Sequence, residues 1–185
     1  MDWYIPFKRD NVILRDAKLS LSEVGAGGDE IPLIVQLIEN PKFELPGLDI
    51  FHGAVELHHH DLIHIILGRG LLEMDEAFTI GFTMGSTKKV TTTEEKLYAW
   101  VSKYLYPNEY KFDDQSIKVF KDAVRLGAIS DVQALDNIDF EPFLDMDLKS
   151  IRAAIGLESN LLLAYYEIEQ QRYPDSIASQ RLLDL

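Results

Sequence analysis

The 185-residue chain contains no cysteine. That excludes disulfide staples and thiolate metal sites, so any metal must be held by nitrogen and oxygen ligands. A reducing compartment, and with it a cytoplasmic location, is the matching expectation. Basic residues are also scarce, with 18 Lys and Arg against 31 Asp and Glu, a formal net charge of −13. No basic patch is visible along the chain to release counterions from a phosphate backbone, so a nucleic-acid partner is not expected. Long apolar runs are missing too. The longest candidate, residues 62–72, carries Arg69 and falls short of the ~18–20 residues of a membrane span. Any contact with a membrane would be peripheral. The start, Met1-Asp-Trp-Tyr-Ile-Pro6, has no basic region leading into an apolar segment, so no secretory signal is expected. Strand-period alternation and internal repeats are likewise not found.

What is present is concentrated. All five histidines fall within residues 52–68, which read His52-Gly-Ala-Val-Glu56-Leu-His58-His59-His60-Asp61-Leu-Ile-His64-Ile-Ile-Leu-Gly68. No proline interrupts the run, and apolar residues fill its gaps, so a helix is the natural reading. At about 100° per residue, His60, Asp61 and His64 share one wedge of that helix. Glu56, His60 and His64 are spaced one turn apart, which lines imidazole and carboxylate groups along one stripe. The stripe interleaves with Leu57, Leu62, Ile63, Ile65, Ile66 and Leu67, so the helix is expected to be buried on most sides. Buried His and Asp need partners, and a shared metal ion is one way to supply them. The plainer alternatives are a solvated histidine patch or a core histidine with a backbone partner.

The rest of the chain reads as a single all-α domain over residues 1–185, a helical bundle whose first 29 residues form a less regular arm. Trp3, Tyr4, Ile5, Pro6 and Phe7 are expected to pack across the body. The glycines of Gly25-Ala-Gly-Gly28 match no phosphate-binding fingerprint and read as a loop. Asp29 and Pro32 open a helix over 30–40, closed by Asn40-Pro41, and Pro46-Gly47 turns the chain into the histidine helix. A further helix is expected over 77–85. Another runs from Thr93 to Tyr104, with Leu97, Trp100, Val101 and Leu105 as its apolar stripe. Asp113 or Asp114 caps a helix carrying Ile117, Phe120 and Val124 on one face, with Gly127 after its end. Asp147 starts a short helix, and a longer one over 158–173 carries Leu161, Leu162, Tyr165, Ile168 and Glu169.

The sharpest feature joins two of these helices. His60-Asp61-Leu62-Ile63-His64, then eleven residues, then Glu76 reads H-D-x-x-H-x11-E. This resembles the signature of the Coq4 family of ubiquinone-biosynthesis proteins, in which the motif also continues as a short apolar run ending in Gly, here Ile65-Ile66-Leu67-Gly68. The resemblance covers about twenty residues well. It implies a predominantly helical fold and a divalent metal on His60, Asp61, His64 and Glu76. It also implies a role in processing a prenylated benzoquinone precursor, so a small-molecule or prenyl-lipid substrate.

Two imidazoles with two carboxylates suit zinc, iron, manganese or cobalt. Glu56 is a candidate further ligand or an acceptor from an imidazole N–H, while His52 and His59 have no evident role. Glu73 and Asp75 compete with Glu76 for the distal position, and spacing alone does not choose. Other functional classes stay open. The His-Asp pair on a helix is also found in HD-type phosphohydrolases, and Glu56-Leu-His58-His59 supplies one Glu-x-x-His of a di-iron carboxylate bundle. A non-enzymatic scaffold, with a structural metal or none, is the third class. A homo-oligomer is compatible with every one of them.

Overall fold

The structure, a computed structural model, describes residues 3–24, 57–104 and 111–184. Among these residues it is all-α, with one isolated antiparallel bridge between Ile13 and Asp147. In chain order the helices are α1 (Leu14–Val24), α2 (Leu57–Leu67), α3 (Glu73–Ser86), α4 (Thr92–Tyr104), α5 (Asp114–Ile129), α6 (Leu148–Ala154), α7 (Ser159–Arg172) and α8 (Ile177–Gln180). Two short 3-10 turns, Leu135–Asn137 and Glu141–Phe143, lie between α5 and α6. The helix expected over 30–40, the loop at Gly25 to Gly28 and the Pro46-Gly47 turn fall outside the described residues, as do His52 and Glu56.

Local chemistry sets the helix boundaries. Asp113 caps α5 by accepting from Ser116 N at 2.7 Å, and Asp147 caps α6 by accepting from Ser150 N at 2.8 Å. Each satisfies a backbone N–H that has no partner within its helix. α3 begins at Glu73, earlier than the 77–85 read from the sequence. Leu72 has no side-chain acceptor to offer as a cap, but its own N–H donates to Asp75 Oδ2 at 3.3 Å, half of a capping box. Glu73, Asp75 and Glu76 all fall in that first turn, where the helix dipole favours negative charge.

α2 lies in the middle of the core. Leu62, Ile63, Ile65, Ile66 and Leu67 are all buried, so this helix is apolar on nearly every side. The N-terminal arm covers it. Phe7 meets Tyr166 of α7 edge-on at 5.6 Å, and the Arg152 guanidinium of α6 lies 3.8 Å from the Phe7 ring centre. Arg152 also donates to the carbonyls of Ile66 and Phe7 at 2.8 and 2.7 Å, tying α6, α2 and the arm together. The arm is shorter than the 29 residues expected, because residues 14–24 form α1, with Leu14, Ala17 and Leu21 facing inward.

α3 and α5 cross at unusually close range. A Cβ placed on Gly81 would collide with the Phe120 carbonyl, on Gly85 with the Val124 carbonyl, and on Gly127 with the Phe82 carbonyl. These glycines are where the two backbones touch. Gly127 therefore does not end α5 as its sequence position suggested; the helix continues to Ile129 because the glycine serves the crossing. Gly85→Ala is expected to destabilise the fold by about 2–3 kcal/mol, since a backbone carbonyl, unlike a side chain, cannot rotate away. Urea unfolding would measure it, and a loss no larger than that of an exposed helical substitution would show that the crossing can widen freely.

α4 differs most from expectation. Its buried stripe is Glu94, Tyr98 and Ser102 with Ala99, while Leu97 and Trp100 remain 37% and 51% exposed. Tyr98 stacks on Phe120 at 4.8 Å, so the larger aromatic contact with α5 decides which face turns inward.

Candidate metal centre

α2 ends in a turn that folds α3 back beside it. Gly68 adopts φ +65°, a left-handed conformation, and its N–H reaches Ile65 O at 3.1 Å while Arg69 N reaches His64 O at 2.9 Å. A Cβ at Gly68 would press on the Phe7 backbone at 2.8 Å, so a side chain there is disfavoured twice. The reversal carries Glu76, in the first turn of α3, opposite the last turns of α2.

Three side chains converge there. His60 Nε2 and His64 Nε2 lie 3.5 and 3.3 Å from the same Glu76 oxygen, Oε2. The two imidazoles meet edge-on with centroids 4.5 Å apart. One ligand atom from each residue falls within 4.8 Å of the other two, which is the grouping a metal ion requires. His64 is fully buried, His60 is 8% exposed, and the Glu76 side chain is 23% exposed. One flank of the group is therefore open to a water or a substrate oxygen.

Burial and charge act differently on the three. Burial pushes the His60 imidazole down to about 4, against the pull of Glu76. Burial also opposes charge on His64, but the Glu76 carboxylate, with Asp75 and Asp61 behind it, outweighs that and raises its pKa. For Glu76 the desolvation cost is overcome by His64 and His60, which hold the carboxyl down to about 2. At neutral pH the pocket thus contains a carboxylate and a neutral His60, both ready to ligate. His64, whose pKa is raised, is the ligand whose proton competes with an incoming ion. Metal affinity is expected to fall as the pH drops through the raised His64 pKa, by about tenfold per pH unit below it, because binding displaces one proton. Titration against a chromophoric chelator checks this, and a two-proton slope would mean that His60 is also protonated in the metal-free protein.

Thr79 completes the geometry and was not singled out in the sequence. Its Oγ1 lies 3.3 Å from His64 Nδ1, and it sits one turn beyond Glu76 on the same face of α3. With His64 Nε2 committed to a metal, Nδ1 carries the proton and donates to Thr79 Oγ1, which fixes the ring's orientation. The signal was the three-residue step from Glu76 to Thr79, visible only once Glu76 is accepted as the distal group.

The other candidates are placed as follows. Asp61 is half-buried and close enough to act on His64 electrostatically, but it does not join the three converging ligands. His59 points elsewhere: its Nε2–H donates to the Leu135 carbonyl at 2.8 Å and its ring meets Phe140 edge-on at 4.9 Å. Glu73 is exposed and accepts from Asp113 N at 2.6 Å, holding the start of α5. Asp75 turns into a buried cluster where Arg181 donates to its Oδ2 at 2.5 Å and Arg69 lies 3.8 Å away. Among the three acidic residues that the spacing left open, Glu76 is the one beside the imidazoles.

No family model, curated protein or solved structure matches this chain in comparison. Among the described residues, no helix is long and apolar enough to cross a membrane.

Proposed function

We propose that this chain is a divalent-metal protein resembling the Coq4 family, acting on a quinone or prenyl-lipid precursor. One observation carries the reading: residues at the H-D-x-x-H-x11-E spacing, on two different helices, bring His60, His64 and Glu76 within ligand distance of one another. The donors fit the group. Two imidazole nitrogens and a carboxylate suit zinc, iron, manganese or cobalt, and the missing thiolates argue against softer ions.

In this reading His60, His64 and Glu76 hold the ion, and Asp61, the motif's remaining carboxylate, acts on His64 through its charge. Thr79 keeps the His64 ring in the ligating orientation. The burial of both imidazoles excludes bulk water from one side of the site, and the partly exposed Glu76 edge admits substrate. A metal bound there supplies Lewis acidity toward a carbonyl or hydroxyl oxygen of the substrate, or lowers the pKa of a bound water.

The decisive experiment is elemental analysis of protein prepared without added metal and without a histidine tag. One zinc, iron, manganese or cobalt per chain is expected. Removing it should lower the melting temperature, because a ligand that binds only the native state stabilises that state. Protein that neither carries nor takes up a divalent ion, and whose melting curve ignores a chelator, would end the proposal and leave a histidine cluster with a purely structural role. With metal established, turnover of a prenylated benzoquinone precursor, set against that of a phosphate ester, tests the substrate class.

A further inference from the structure

A second region of the molecule brings cations together against the overall charge. Lys118, Lys121, Asp122 and Arg125 lie on one stripe of α5 at one-turn spacings, and the end of α7 brings Arg172 and Tyr173 to the same place. These six residues line a recess of about 420 Å³. Four of the six are Lys or Arg, in a chain where acidic residues outnumber basic ones 31 to 18. The patch was invisible along the sequence because Arg172 joins it from a helix more than forty residues away.

The arrangement within the recess is ordered. Asp122, its single lining carboxylate, accepts from Arg172 Nη1 at 2.7 Å and from Arg125 Nη1 at 3.4 Å, so one acid orients both guanidinium groups. Arg125 also lies 3.7 Å from Glu95 on α4. Lys118 and Lys121 make no close ion pair with any described residue, although Asp114, one turn before Lys118, feels its charge. The Tyr173 ring is buried, yet its hydroxyl makes no hydrogen bond with a described residue. At the end of α7, Tyr173 N donates to Glu169 O at 3.0 Å, and the Gln180 side chain donates to Gln170 O and Tyr173 O at 2.8 and 3.2 Å.

We infer that this recess binds a phosphoryl group, through Lys118, Lys121, Arg125 and Arg172 with the Tyr173 hydroxyl as a further donor. Two ammonium groups, two forked guanidinium groups and a phenol offer more donors, and more charge, than a two-oxygen carboxylate can use. A phosphoryl group, with three terminal oxygens and close to two negative charges, matches them. The volume leaves room for a diphosphate or for the organic part of a phosphorylated molecule. The site shares no residue with His60, His64 and Glu76, and the inference does not depend on the metal reading.

The test is calorimetric titration of the full chain with sodium pyrophosphate. In parallel, sedimentation is measured with phosphatidylcholine vesicles with and without phosphatidic acid. Saturable binding of one pyrophosphate is expected, weakened by about tenfold or more in Lys118→Gln/Lys121→Gln, since a charge-assisted hydrogen bond is about twice as strong as a neutral one. Arg172→Gln should weaken it as well. Lys8→Gln/Lys149→Gln, on another part of the surface, should leave it unchanged. Binding of phosphatidic-acid vesicles alone, lost in the same lysine variant, would assign the phosphoryl group to a lipid headgroup. The inference is overturned by the absence of both kinds of binding or by equal weakening in the Lys8/Lys149 control.

Discussion

Glu169→Gln is expected to lower the unfolding free energy by about 3–5 kcal/mol, because it leaves a buried guanidinium without its counter-charge. Glu169 and Arg69 are both fully buried, and they meet as a fork: Arg69 Nη1 donates to Oε1 at 2.9 Å and Nη2 to Oε2 at 2.7 Å. Ser179 adds a third bond to Oε1 at 3.0 Å. The Arg69 plane lies 3.8 Å from the Phe78 ring centre and 4.5 Å from that of Tyr166, so no water reaches it. Arg69 cannot escape by losing a proton. Burial opposes its charge, but Glu169 and its neighbours raise its pKa still further. Glutamine keeps the shape and one acceptor while removing the charge. For a chain of this size the melting temperature should fall by roughly 10 °C. Replacing the pair together, as Arg69→Met/Glu169→Leu, should cost far less, since it removes the desolvated charges along with their attraction. A Glu169→Gln protein that melts with its parent would show that Asp75 and the two aromatic faces suffice to hold Arg69.

That cluster also shows where sequence reading stops. Arg69 stood in the sequence only as an interruption of an apolar run, between Gly68 and Gly70. The fold buries it because Gly70 lets the chain pass tightly: a Cβ there would strike the Trp3 carbonyl and the Arg181 guanidinium. Its partners, Glu169 and Asp75, come from helices 100 and 6 residues away, and no local pattern pairs them. By contrast, the features carried by short-range chemistry were legible. The caps at Asp113 and Asp147 were readable because the bond spans three residues. The buried character of α2 was readable because Leu62, Ile63, Ile65, Ile66 and Leu67 leave it no polar face beyond the histidine stripe. On α4 the sequence reading took the face with Leu97 and Trp100, whereas packing of Tyr98 against Phe120 turns the face with Tyr98 and Ala99 inward.

The metal group falls between these cases. His60 and His64 were visible as one face of one helix. The contribution of α3 depended on the Gly68 reversal and on the phase of α3, since Glu73, Asp75 and Glu76 differ by one to three residues and so by large rotations about the axis. Starting α3 at Glu73 turns Asp75 to the arginines and Glu76 to the imidazoles. Two adjacent carboxylates, about 100° apart around one helix, thereby serve different partners, one toward stability and one toward the proposed chemistry.

Glu76→Gln against Glu73→Gln is the comparison that isolates the second role. Glu76 Oε2 faces both imidazole Nε2 atoms, so the substitution removes the only carboxylate within the converging group. An amide oxygen is a weak ligand for zinc, iron, manganese or cobalt. Metal affinity should therefore drop by about a hundredfold or more, beyond the ten- to hundredfold typical of losing an orienting neighbour. Helical content should hold, because glutamine is nearly as good a helix former as glutamate. The metal-free protein offers an independent readout: without the Glu76 charge, burial is no longer outweighed, and the His64 pKa measured by NMR should fall from its raised value. Glu73→Gln should change neither quantity, since Glu73 is exposed and its bond to Asp113 N needs only an acceptor that the amide retains. If Glu73 proves essential to metal binding while Glu76 is silent, the H-D-x-x-H-x11-E spacing is coincidental and the proposed kinship with the Coq4 family loses its main support. If the His64 pKa falls as expected while metal affinity is untouched, Glu76 is a charge partner of the imidazoles, and the ion, where one is found, sits elsewhere.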